Sequence, residues 1–414
     1  MAAQLSEIEV KGVKIPLIYE KSTLMPAVNL QIVFTHAGSI TDEIPGLASL
    51  SARIFNEGTK TLGSVEFAKE LENRAISLSV GSGNETLVFD MSALKSEYLE
   101  GLRLTRELLR QPNFTKEALS KVKTDIKASL LRKESDFDYV AQVELHRRLF
   151  EGTPLEYPSM GNRESIEKIT LKEVEEFWKK RGVLRRAIVL VGGDVELEEV
   201  KKDLLSLLSV LPLGEEGELV RYEAKGDLEV KSVIKNTQQA YIYFGSPFSV
   251  KNLREDSYKA KVAAFVLGSS GFGSRMMEEI RVKRGLAYSA YWRISLSKSV
   301  NYSLGYLQTK LENEQQAIGV VRELIEEFLQ KGITEKELEG AKQFLLGSEP
   351  LRNETLSQRL SSAFSAYYRG LPLDFAKEEL RKIEALTLEE INAYIKEHQE
   401  LLQLSFSVVT APKE

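Results

Sequence analysis

The sequence predicts an α+β protein built from two homologous halves, and three observations lead to this fold class. A helix-like pattern at 166–180, IEKITLKEVEEFWKK, recurs at 383–397 as IEALTLEEINAYIKE. A hydrophobic, strand-like run follows each copy. Elsewhere, strand-like runs come in adjacent pairs and do not alternate strictly with helices. We therefore expect two homologous domains, each an antiparallel sheet with helices packed on one face.

The predicted elements follow the same order in both halves. An early strand-like run, NLQIVFTHAGS, resembles QAYIYFGSPFS in the second half. Two adjacent strand-like runs come next in each half, and a helix, a turn and a Thr-capped helix follow them. A polar, Gly-containing stretch separates the halves and ends in a strand-like run. We place the N-terminal domain at 1–211, the linker at 212–234 and the C-terminal domain at 235–414.

The composition indicates a soluble globular protein and argues against several functions. The 414 residues carry a net charge of −5, which gives no reason to expect nucleic acid as a partner. No apolar run of about 18 residues is present, so we expect no membrane span. The absence of cysteine excludes disulfides and thiolate metal ligands. The N-terminus has no apolar signal core, so we expect a cytoplasmic protein, or a periplasmic one if a signal peptide has been removed.

The stretch from Gly268 to Trp292 carries the candidate functional residues. Ser274 suits a helix N-cap, and Gly285 suits the left-handed position that follows a helix. Arg281 then lies near the end of this helix, and Tyr288 lies near the start of the strand after it. A guanidinium and a phenol on neighbouring elements can bind a peptide carbonyl or a developing oxyanion. By spacing alone, a surface arginine and a half-buried tyrosine are the commoner explanation.

This stretch resembles the second-half signature of the M16, or pitrilysin-type, metallopeptidases, in the branch of mitochondrial processing peptidase and its bacterial relatives. The matching residues are Ser274-Arg275-Met276 and then Arg281 and Tyr288 within RVKRGLAY. The resemblance covers nearly the whole chain and implies two α+β halves that form half of a clam-like chamber. In the family, this arginine and tyrosine help to bind and polarise the scissile carbonyl at a zinc site in the other half or in a partner chain.

The first half resembles the frame of the family's zinc motif but lacks its chemistry. The flanking runs, Gly46–Ala48 and Ile54–Thr59, match the family. Between them, Ser49 and Arg53 occupy the positions of the two zinc-binding histidines, and Ala52 occupies the position of the catalytic glutamate. Alanine cannot act as a base, and a cationic arginine has no lone pair for a metal. We therefore predict that this chain binds no metal and is inactive alone.

No other part of the sequence supplies a metal site. A third family ligand, a downstream glutamate, aligns with Asp125, which fits a solvated helix carboxylate better than a ligand. The three histidines, His36, His146 and His398, are too far apart in sequence for two of them to share a helix face. We expect His146 to face solvent or a groove on an amphipathic helix.

The Arg281–Tyr288 pair beside the lost zinc motif leads to our first hypothesis, a non-catalytic subunit of a heteromeric M16 zinc peptidase. A sister subunit of the same family would carry the zinc and hydrolyse peptide substrates, and this chain would hold the peptide carbonyl in a heterodimer. By the family's frame, the peptide would add as a strand to a sheet edge near Ile76–Gly83.

Two other classes of function stay open. The chain resembles the core subunits of respiratory bc1 complexes, so it fits a structural or peptide-binding scaffold in which the arginine and tyrosine have no catalytic role. An independent peptidase with an unfamiliar metal site would need three ligands that scattered histidines and carboxylates do not supply. A sister chain with an intact His-x-x-Glu-His motif in the same genome would favour the first class over the scaffold.

Overall fold

The first β-sheet is mixed, with one parallel pair of strands. The computed structural model describes residues 3–412. Six strands form this sheet in the order β1-β2-β6-β3-β5-β4. Only β2 and β6 run parallel within it, and the other neighbours are antiparallel. The strands are β1 (Gln4–Val10), β2 (Val13–Lys21), β3 (Ala27–Thr35), β4 (Ser77–Ser82), β5 (Thr86–Leu94) and β6 (Ala187–Gly193).

The second sheet repeats this design with five strands in the order β7-β11-β8-β10-β9. Here β11 and β7 are the parallel pair, so each sheet is mainly antiparallel, as we expected, with one parallel pair that we did not predict. The first of these strands occupies the end of the predicted linker. The strands are β7 (Val230–Ile234), β8 (Gln239–Pro247), β9 (Ala287–Leu296), β10 (Asn301–Lys310) and β11 (Ser405–Thr410).

The helices begin where the sequence predicts caps. Thr170, Thr334 and Thr387 each form a capping box with the glutamate three residues later, which satisfies two backbone N–H groups at the helix start. The helices are α1 (Leu47–Phe55), α2 (Gly63–Glu72), α3 (Tyr98–Arg110), α4 (Lys116–Lys133), α5 (Phe137–Leu149), α6 (Arg163–Lys168), α7 (Leu171–Arg181), α8 (Leu197–Leu208), α9 (Leu253–Ala264), α10 (Glu314–Lys331), α11 (Glu335–Gly347), α12 (Glu349–Arg352), α13 (Leu356–Tyr368), α14 (Phe375–Ala385) and α15 (Leu388–Glu397).

The predicted α+β class is confirmed, and each sheet also carries a helix on its second face. The main core lies on one face of each sheet. On the second face of the first sheet, Leu360 of α13 packs among Ile18, Val33 and Leu190. In the second sheet, α5 lies against β8, where a Cβ on Gly245 would be 2.9 Å from Leu149. This differs from our expectation that helices would cover one face only.

These two helices come from the opposite half of the sequence, so the compact units do not coincide with the halves 1–211 and 235–414. The first unit contains the chain up to Leu131, Tyr157–Leu219 and Leu351–Asp374, and the second contains Arg132–Glu156, Val220–Pro350 and the chain from Phe375. Within residues 3–412, no helix combines the length and the apolar character needed to cross a membrane.

His146, which we expected to face solvent or a groove, is half-buried and lies against aromatic rings. Its ring is 5.5 Å from the ring of Phe150 and 5.6 Å from the ring of Tyr302, and its Nε2 lies 3.5 Å from the Tyr302 hydroxyl. Burial and, secondly, the positive charge of Arg293 lower the pKa of His146 to about 4. The folded protein therefore keeps this imidazole neutral at physiological pH.

We expect the free energy of unfolding to fall by about 2 kcal/mol between pH 7 and pH 5 because of this residue. Unfolded chains, with an ordinary His pKa of about 6.5, bind a proton in this range, while folded His146 stays neutral until about pH 4. Denaturant unfolding of the wild type and of His146→Gln at both pH values measures the effect. The variant should lack this part of the pH dependence, and an equal dependence in both proteins would contradict the assignment.

Candidate functional site

The helix that carries the degenerate zinc motif is well formed and firmly packed. Helix α1 begins after Gly46, and the Asp42 carboxylate accepts the N–H groups of Gly46 at 3.1 Å and Ala48 at 2.9 Å. Ser49 and Arg53 lie one helical turn apart and are half-buried, and Ala52 is buried. Helix α1 is therefore regular and well packed at the positions that the family resemblance assigns to metal-binding side chains.

The residues at these positions do not fit zinc. A serine, an alanine and an arginine offer no imidazole or carboxylate ligand. Asp125 lies exposed on α4, and Lys121, one turn earlier, pairs with the buried Glu57 carboxylate at 2.8 Å from both oxygens. Across the described residues, no three His, Cys, Asp or Glu side chains come together in a group that could hold a metal.

Arg281 and Tyr288 are in contact in the second unit. Arg281 lies in a π-helical segment, Met277–Lys283, and not in the regular helix that we predicted. Its guanidinium carbon is 4.4 Å from the centre of the Tyr288 ring, which is a stacking arrangement. The Tyr288 side chain is 81% exposed. Ser274, the predicted cap, is buried, and its hydroxyl lies 3.4 Å from the backbone N of Met277.

A bulge in β9 sets the direction of Tyr288. Leu307 of β10 is opposite Ala290, but Thr309, two residues later, is opposite Ala287. Two residues of β9, Tyr288 and Ser289, therefore stand against one residue of β10. A bulge of this kind bends the strand and redirects side chains, and such bulges are common beside functional sites. It explains how Tyr288 is exposed on a strand whose neighbouring alanines are buried.

Phe272 is a third member of this cluster, and the sequence analysis missed it. Its ring centre lies 4.7 Å from the guanidinium carbon of Arg281, and its side chain is 71% exposed. Gly271 and Gly273 on either side have φ values of +69° and +93°, a conformation that favours glycine. The sequence did contain a signal for this site. Phe272 is a large apolar residue between two glycines in a loop, where it is not expected to belong to the core.

The nearby Arg275 differs from Arg281 because its guanidinium is engaged in hydrogen bonds within the fold. It forms two hydrogen bonds to the Glu337 carboxylate, at 2.6 Å and 2.8 Å, and a third to the Gly332 carbonyl. Arg281, in contrast, has no hydrogen bond or ion pair with any side chain that the structure describes. Its guanidinium carbon contacts the rings of both Phe272 and Tyr288, and no described side chain occupies its N–H groups, which are therefore available to a ligand.

Comparison with known proteins identifies the family. A family model described as "Insulinase (Peptidase family M16)" matches residues 17–163, and one described as "Peptidase M16 inactive domain" matches residues 168–345. The non-peptidase homolog YmxG of Helicobacter pylori is 44% identical over 414 residues, which cover 100% of this chain and 96% of that protein. The chain belongs to peptidase family M16. It is an M16 member without the zinc motif, as the sequence analysis predicted.

Solved structures show the same M16 fold. A peptidase M16 inactive domain from Pseudomonas fluorescens aligns with a TM-score of 0.89 at 21% identity, covering 99% of this chain and 98% of that chain. A chain of complex III2 from Candida albicans aligns with a TM-score of 0.77 at 14% identity, covering 98% of this chain and 95% of that one. At these identities the likeness concerns the fold alone.

We predict that the purified M16 chain contains far less than one zinc per molecule. The reason is that Ser49, Ala52 and Arg53 replace all three chemically active positions of the motif helix. Elemental analysis after dialysis against micromolar zinc measures the content, with a zinc-motif M16 peptidase as the positive control. One tightly held zinc per chain would contradict the prediction and would require ligands outside α1.

Proposed function

We propose that this chain is the non-catalytic subunit of a heteromeric M16 zinc peptidase. The related protein from Helicobacter pylori bears the name non-peptidase homolog, and this chain lacks the motif side chains in the same family frame. A zinc-bearing sister subunit would supply the metal and the activated water. This chain would supply Arg281 and Tyr288, which bind the scissile carbonyl of a peptide and polarise it.

The observation that carries the proposal is the availability of Arg281. An exposed arginine normally loses rotamer freedom when it binds a ligand. Contact with the rings of Phe272 and Tyr288 restricts the Arg281 side chain in advance and leaves its donors without a side-chain partner. Donors held ready in this way stabilise a developing negative charge at little further cost. A guanidinium that served only the fold would be paired, as Arg275 is.

We expect Arg281→Ala to lower turnover by the assembled complex roughly 10²-fold, because it removes one donor to the transition state. Tyr288→Phe should lower it by a similar factor if the hydroxyl is also a donor, and by less if the ring acts only through stacking. Steady-state hydrolysis of a quenched fluorescent peptide by the complex measures both. Arg284→Ala is the matched control, since Arg284 is an exposed cation of the same segment with no contact to the Tyr288 ring.

We expect Phe272→Ala to have a smaller effect, about tenfold, and mainly on kcat. Phe272 would act as a positioning residue, because it contacts Arg281 and restricts its side chain. Phe272→Tyr keeps the ring and should restore most of the activity. Equal losses in Phe272→Ala and Phe272→Tyr would contradict a role through stacking.

A structural scaffold is the second candidate function. The alignment with a chain of complex III2 supports it at the level of the fold. In a scaffold, Arg281→Ala would leave both assembly and turnover unchanged. A genome without any sister chain that carries an intact His-x-x-Glu-His motif would also favour this candidate over the first.

A further inference from the structure

The outer edge of β4 is the place where an added strand would pair with the first sheet. Among the strands that the structure describes, β4 pairs with β5 alone. At the hairpin, the Gly83 N–H donates to the Thr86 carbonyl at 2.9 Å, which fixes the alternation of hydrogen bonds along the pair. The backbone groups of Leu78, Val80 and Ser82 therefore point away from β5. Val80 is the middle one of these three outward positions.

The side chain of Asn56 already occupies this middle position. The Val80 N–H donates to Asn56 Oδ1 at 2.8 Å, and Asn56 Nδ2 donates to the Val80 carbonyl at 2.9 Å. Nδ2 also donates to the Ala52 carbonyl at 3.2 Å. Towards Val80 the side-chain amide offers its oxygen and one of its two N–H groups, as one residue of an antiparallel added strand offers its C=O and N–H. It therefore makes both hydrogen bonds that an incoming strand would make with Val80.

The motif helix holds this amide in place. Asn56 directly follows the last residue of α1, and its backbone N–H bonds to the carbonyls of Arg53 and Ile54. Helix α1 packs against β4, so the amide reaches the strand without any further loop. The helix that has lost the zinc-binding side chains thus also carries the group that covers the strand edge.

At the outer edge of β9 in the second sheet, a side chain also contacts the strand backbone, but through a weaker hydrogen bond. The Ser297 N–H donates to the Val300 carbonyl at 3.1 Å, which places the backbone groups of Ala290 on the outer side of β9. The Ala290 N–H donates to the Met277 sulfur at 3.3 Å. A thioether is a weak acceptor and cannot donate, so Met277 contacts one backbone group of Ala290, whereas Asn56 contacts both backbone groups of Val80.

We propose that Asn56 closes the edge of β4, so that this half does not take up an extended peptide as an added strand. The Asn56 side chain makes the hydrogen bonds to Val80 that the backbone of a substrate strand would otherwise make. If the proposed function holds, on which this consequence rests, the sister subunit holds the substrate strand and this chain contributes only side chains to it. This proposal is the alternative to our expectation that a peptide would add near Ile76–Gly83.

The test is hydrogen–deuterium exchange of the isolated chain, with and without a peptide of about ten residues that alternates Thr and Val. In the wild type, the Val80 amide should exchange slowly and should not respond to the peptide. In Asn56→Ala it should exchange about tenfold faster, because one hydrogen bond is lost, and the peptide should slow it again.

Asn56→Asp is the matched variant. It keeps an oxygen that accepts the Val80 N–H and loses the donor to the Val80 carbonyl. The backbone N–H of Val80 should therefore remain slow to exchange. Three results would overturn the proposal: peptide-dependent slowing along β4 of the wild type, unchanged Val80 exchange in Asn56→Ala, or faster exchange in that variant without any response to the peptide. None of these measurements involves the sister subunit, so failure here is distinct from failure of the Arg281–Tyr288 role.

Discussion

The contact of the Arg281 guanidinium with the rings of Phe272 and Tyr288 is the interaction on which the proposed function depends. Three departures from regular structure produce it: a loop with a glycine on each side of the phenylalanine, a π-helical segment and a bulge in β9. Each of these is locally less favourable than regular structure. Their occurrence together within one short stretch, around an unpaired cation, is the reason to regard this stretch as a binding site.

The two units share a fold but offer different chemistry to a peptide. In the first unit, a regular helix presents Ser49, Ala52 and Arg53 where a peptidase of this family would present metal ligands and a base, and Asn56 covers the neighbouring strand edge. In the second unit, irregular backbone presents a half-buried cation, Arg281, and two exposed rings. The first unit thus lacks the motif side chains, and the second holds a cation without a side-chain partner, which fits the proposed division of labour between subunits better than general decay.

The sequence predicted the regular parts of this fold, because they depend on local signals. Thr170 and Thr387 start helices where the capping pattern placed them, and the strand-like runs of both halves became β3–β6 and β8–β11. It did not predict that α5 and α13 would each pack on the sheet formed by the opposite half of the sequence. The apolar face of a helix does not specify which sheet the helix will cover. The bulge before Ala290 was also missed, because it is a property of a pair of strands. The contact of Asn56 with Val80 joins residues far apart in sequence, and an asparagine after a helix is ordinarily only a cap.

The central claim is that this chain assists the chemistry of another M16 subunit. The most direct measurement is peptide hydrolysis by the purified chain, by a zinc-motif sister chain and by the two together at equal concentrations. The account predicts no hydrolysis by this chain alone and faster hydrolysis by the mixture than by the sister alone. Hydrolysis by the lone chain, or a mixture no faster than the sister by itself, would contradict it.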